Sequence, residues 1–140
     1  MGQQQLLLII LGVIVVGIAV AVGITMFSDS AVNANRDAMV NDLVNLASRA
    51  QQFYRRPSSL GGGGNSFNGL TADATGIGKL TNKPVNGNGS YYIKIAGSGV
   101  GTASIVELEG LGNETGTNGT SAVLVHIKVY PSTDSVWTLN

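Results

Sequence analysis

From Leu6 to Phe27 the chain carries no charged residue, and almost every side chain is aliphatic. A helix rising about 1.5 Å per residue makes this segment roughly 33 Å long, enough to cross a hydrocarbon layer of about 30 Å. Burying one Leu, Ile or Val is worth roughly 1.5–3 kcal/mol. Leaving the whole run in water therefore costs tens of kcal/mol, more than the roughly 5–15 kcal/mol that holds an ordinary domain together. A chain of 140 residues is too short to need such a helix as its own core. The segment demands cover from a bilayer or from copies of itself.

The flanks of the run are unlike those of a secretory signal or an ordinary anchor. Met1, Gly2, Gln3, Gln4 and Gln5 supply no cation, and the first basic residue is Arg36. A signal peptide has a basic n-region and a shorter apolar stretch, and a membrane anchor has a basic cytoplasmic flank. The expectation is that a basic leader has already been removed, or that permanent membrane residence is not the segment's purpose. Inside the run, Gly17 with Ala21 and Ala19 with Gly23 form small-xxx-small pairs that let helix backbones approach closely. The glycines from Gly12 to Gly17 are where local unwinding is expected if any occurs.

Beyond Phe27 the pattern changes without a break. Val32, Met39, Leu43, Leu46, Ala50 and Phe53 recur at helical spacing, with Arg36, Asn41, Asp42, Asn45, Arg49 and Gln52 between them. Neither Pro nor Gly occurs from Ile24 to Arg56, and Pro57 then stops the helix. The reading is one rod over residues 1–56, apolar over 1–28 and amphipathic over 29–56. The alternative is a break at Ser28 and Asp29, which are able to act as an N-cap.

Residues 57–140 read as a glycine-rich loop and a β-domain. Gly61 to Gly64 and Asn86-Gly87-Asn88-Gly89 are turn formers, while Phe67, Leu70, Ile77 and Leu80 are apolar anchors, with a short helix allowed near Leu70 to Leu80. Four strands are expected at Tyr91–Ala96, Ala103–Glu109, Ala122–Tyr130 and Ser135–Leu139. Val123, Val125, Ile127 and Val129 alternate with Leu124, His126, Lys128 and Tyr130, as Val106 and Leu108 do with Glu107 and Glu109. This predicts one buried and one wet face. The fold class is α+β, a long helix laid across a four-stranded antiparallel sheet.

Nothing in the composition points to chemistry. The chain has no cysteine and zero net charge, which argues against disulfides, thiolate catalysis and a nucleic-acid partner. His126 is the sole histidine and falls on the expected polar face, so it reads as a surface residue. The acids lack the spacing of a calcium loop. Gly78-Lys79 lacks the Ser or Thr of a phosphate loop and has Asp73 where its first glycine belongs. Tyr91, Tyr92, Tyr130 and Trp137 read as sheet packing. No catalytic, cofactor or metal site is expected. Three sequons, at Asn88, Asn113 and Asn118, permit N-linked glycans.

The apolar half-helix, its amphipathic continuation and the small β-domain together resemble a mature type IV pilin or related pseudopilin, along the whole chain. The resemblance implies a structural subunit whose N-terminal helices pack in the core of an extracellular helical filament. It also implies an inner-membrane stage before assembly, a prepilin peptidase and a pilus assembly machinery. The filament-core residues it points to are Met1, Gln5, Leu8, Ile9, Leu11, Val15, Ile18, Val22 and Phe27. Two family features are missing: Gln5 stands where a glutamate is usual, and Val22 near the usual proline. A minor pseudopilin of a secretion or DNA-uptake system, and a single-pass protein presenting a small binding domain, remain the alternatives.

Overall fold

The computed structural model describes residues 2–95 and 105–139. A single helix, α1, runs from Gly2 to Arg55, 54 residues or about 80 Å of rod. It is continuous through Ser28 and Asp29, whose side chains do not interrupt the backbone ladder, and through Gly12 to Gly17. Its buried residues are Val32, Met39, Leu43, Leu46, Ala47, Ala50 and Phe53, the apolar stripe of the amphipathic half with one alanine added.

The glycine-rich segment closes the end of this rod. The last carbonyls of a helix have no partner within it, and here backbone N–H groups of the loop return to supply one: Gly63 to Phe53 at 2.8 Å, Asn65 to Tyr54 at 2.8 Å and Gly64 to Arg56 at 2.9 Å. The return is tight enough to require glycine. A Cβ at Gly63 would lie 1.8 Å from the Ser66 carbonyl oxygen, and Gly64 has a positive φ of 60°. Phe67, Leu70, Ile77 and Leu80 are all buried, in one core with the helix's apolar stripe. A one-turn helix, α2 (Ala74–Gly78), is capped by Asp73, which accepts from the Gly76 N–H at 2.8 Å.

The sheet is an antiparallel meander of β1 (Gly89–Ile95), β2 (Val106–Thr115), β3 (Ala122–Val129) and β4 (Asp134–Thr138), in spatial order β1-β2-β3-β4. Tyr91, Ile93, Val106, Leu108, Val123, Val125, Ile127 and Val129 point toward α1 and form one core with its buried stripe. The α+β arrangement is thus the one expected. Ala96 and Ala103, which bounded two expected strands, lie outside the described residues.

Two expectations require correction. The second strand does not end at Glu109 but continues through Gly110 and Gly112 to Thr115. Those glycines face the helix rather than ending the strand: a Cβ on Gly112 would lie 2.4 Å from Asn35 Oδ1 and 2.8 Å from Met39 Sδ. Secondly, the face of the sheet turned from α1 is not uniformly wet. Glu107, Glu109 and His126 are buried, because acidic and basic side chains fall side by side in the strand register and neighbours cover them.

Candidate functional site

The apolar half of α1 is the largest unsatisfied surface of the molecule. Leu8, Ile9, Leu11, Val15, Ile18, Val22 and Phe27 are all exposed, from 50 % at Val22 to 78 % at Phe27. None of the most apolar stretch is buried within the chain, although it is long enough and apolar enough to cross a membrane. Met1 lies outside the described residues. Gln5 is exposed on the first turns, where no acid is present.

The chosen residues do not form a separate face. Leu7, Ile10, Val13, Ile14, Val16, Val20, Ile24 and Met26 are equally bare, so the helix is apolar all round. A helix of that kind belongs in a bilayer or at the centre of a bundle, not on the side of a soluble domain. Sequence reasoning named only part of this surface, yet the missing members carry the same signal, unbroken hydropathy. The one polar side chain within the run's second half, Thr25, donates to the Val22 carbonyl at 2.8 Å and needs no outside partner. Gly12, Gly17 and Gly23 have nothing within 4 Å of an added Cβ, leaving their backbone open to close approach by a neighbour.

A second cluster lies across the sheet's outer face. Tyr92, Glu109, His126 and Trp137 are register partners, one from each strand. His126 Nδ1 is 2.9 Å from Glu107 Oε1 and its Nε2 is 2.8 Å from Glu109 Oε2. Lys94 Nζ also reaches Glu109 Oε2, at 2.8 Å, and the Tyr92 hydroxyl donates to Glu109 Oε1. Trp137 stacks at 5.5 Å from the imidazole. Burial acts to raise the Glu109 pKa, but the hydrogen bonds from Lys94 and Tyr92 and the nearby cations outweigh it and hold the carboxyl below its usual value. Burial and the Glu109 carboxylate push Tyr92 up to about 12. Both imidazole nitrogens are occupied by carboxylates. The cluster reads as a strut between strands. Sequence reasoning placed His126 on the correct side of the sheet but not under cover.

A third polar knot joins β1 to α1. Asp42 Oδ2 accepts from the Tyr91 hydroxyl at 2.6 Å, Asn86 Nδ2 at 2.8 Å and Asn88 Nδ2 at 2.9 Å. Burial opposes ionisation of Asp42, and these three donors overcome it, lowering its pKa. Among the sequons, Asn88 is half-buried with its amide directed at Asp42, and Asn113 Nδ2 donates to the Gly87 carbonyl at 2.9 Å. Asn118 is exposed at a turn, where its Oδ1 accepts from Thr120 and Ser121.

No protein-family model, curated protein or solved structure matches this chain.

Proposed function

We propose that this protein is a structural subunit that polymerises through the apolar half of α1 into a type IV pilus-like extracellular filament, after a stage embedded in the inner membrane. The observation that carries the reading is the bare rod: residues 6–27 project with no cover from the head. Membrane and filament core both supply an apolar surround, so subunits pass from one to the other without exposing the run to water. Identical subunits are then its principal partners, and a prepilin peptidase and assembly machinery its processing partners. The work is mechanical, with the head forming the outer sheath and no reaction catalysed. Gln5 stands where the family's acid is usual, and a neutral amide caps orphan N–H groups at a helix start without burying a carboxylate.

The test is electron microscopy of material sheared from cells expressing the wild type and Val15→Asp. Fibres in the wild type and none in the variant are expected, because a charge at the centre of an apolar bundle costs several kcal/mol per copy. A wild-type protein that leaves the membrane only in detergent, never as fibres, would instead make the chain a single-pass anchor for the head.

A further inference from the structure

Four of the eight basic residues in this neutral chain gather on one flank of the head. Two clefts of about 330 and 240 Å³ adjoin there, sharing Arg49. The first lies between the Asp42 to Arg49 stretch of α1 and the segment carrying Lys83, and the second holds Arg56 and Lys79. Among the described residues none of these four cations forms an ion pair with a carboxylate. Arg49 is held instead by the Leu80 carbonyl at 2.9 Å, and Lys79 by the Gly69 carbonyl at 2.6 Å. Two charges are thus fixed in place while their remaining N–H groups stay available. The nearest acids are committed: Asp73 caps α2, and Asp42 accepts its three donors through Oδ2 alone.

We propose that the adjoining clefts bind an acidic oligosaccharide, with its carboxylate or sulfate at Arg49, Arg56 and Lys79 and its hydroxyls at Asp42 Oδ1, Asn45 and Gln52. Guanidinium and ammonium groups outside any ion pair select an anion. The amide lining and the uncommitted carboxylate oxygen suit a ligand dense in hydroxyls. The volumes accommodate one or two sugar rings. Single-stranded nucleic acid fits less well, since it wants exposed aromatic faces for its bases. Here Phe53 is buried with Lys79 lying 5.7 Å above its ring, and the Tyr91 hydroxyl is spent on Asp42. Lipid headgroups are out of reach when the apolar run lies in a bilayer, because Arg49 stands about 33 Å further along the rod than Phe27, well beyond a screening length of about 10 Å.

This inference does not depend on polymerisation, so it is tested on the full-length protein in nonionic detergent micelles, titrated calorimetrically with a short oligogalacturonate. Expected is a saturable heat that weakens at least about tenfold between ionic strengths of about 0.05 and 0.5 M. A maltooligosaccharide of the same length gives none. Arg56→Gln with Lys83→Gln removes two exposed cations that hold no backbone, so it leaves the melting temperature unchanged and weakens binding about tenfold. Lys128→Gln, on the far face of the sheet, leaves binding as it was. No heat with the oligogalacturonate, or equal binding by the double variant, overturns the proposal. So does tighter binding of a single-stranded oligonucleotide than of the saccharide.

Discussion

Asp42 concentrates at one oxygen the hydrogen bonds that tie the helix to β1 and to the loop before it. Bonds to a charged acceptor contribute about 1.5–3 kcal/mol, and partial exposure reduces that, so Asp42→Ala is expected to cost about 1–2 kcal/mol in chemical denaturation. Tyr91→Phe is expected to cost about 1 kcal/mol, and the pair less than the sum, because both remove the same contact. The acid limb of stability follows from Asp42 and Glu109. Each has a folded pKa below its unfolded value, so its contribution is complete above roughly pH 4 and fades as pH falls through the lowered folded value. The alkaline limb has the opposite sign. Tyr91 and Tyr92 are raised above 10.0, so their contribution is complete below pH 10 and fades as pH climbs toward their folded values. A melting temperature that falls as pH drops below about 4 and again as it climbs above about 10 is expected, with Tyr91→Phe blunting the alkaline fall. His126→Ala tests the buried row. It strips Glu107 of its imidazole partner, and leaving a buried carboxylate unpaired typically costs about 3–5 kcal/mol. A loss under about 1 kcal/mol in urea denaturation would mean that water already reaches the site. Strand alternation told which side of the sheet His126 faces. It was silent on Trp137 and Tyr92 as cover, because cover depends on register across strands distant in sequence.

At the scale of elements, what the sequence disclosed depended on how many meanings each residue type has. A proline-free apolar run that passes into an amphipathic stretch without Pro or Gly from Ile24 to Arg56 has one meaning, and α1 extends from Gly2 to Arg55 with its buried stripe where the spacing put it. Four valines and isoleucines at alternate positions likewise have one meaning, and β3 is within one residue of its expected span. Glycine has several. Gly61 to Gly64 were read as loop, correctly, but the role of Gly63 and Gly64 as N–H donors to the helix end is visible only once the chain returns. Gly110 and Gly112 sit inside β2, admitting Met39 and Asn35 of the helix to the sheet, a contact between segments some seventy positions apart. Gly112→Ala is expected to destabilise by about 1–3 kcal/mol, since its Cβ meets Asn35 Oδ1, Met39 Sδ and Val123 Cβ at once and the helix must lift. The same substitution at Gly87, which has nothing within 4 Å of an added Cβ, is expected to move the melting temperature little. Equal effects at the two sites would show that helix and sheet are not in tight contact.

For the whole molecule the decisive fact is where the core begins. Among the described residues none before Val32 belongs to it, so α1 is one helix in geometry but two in energetics. Its second half is held by burial against β2 and β3, and its first half by nothing among the described residues. Sequence disclosed that the first half needs cover, but a partner lies outside any single chain, and hydropathy alone does not choose between lipid and identical neighbours. The division makes a strong prediction. A chain starting at Asp29 loses about 40 Å of helix yet none of the core. It is therefore expected to be a soluble monomer in water by sedimentation, and to melt within a few degrees of the full-length protein in detergent. The full-length chain without detergent is expected to sediment as large assemblies. If the truncated chain were instead molten, with weak near-ultraviolet dichroism, the apolar half would be folding back on the head. Its exposure would then no longer drive assembly. If truncated and full-length chains were both monomeric in water, the cost of leaving Leu6 to Phe27 wet would have to be far below the tens of kcal/mol that transfer energies require.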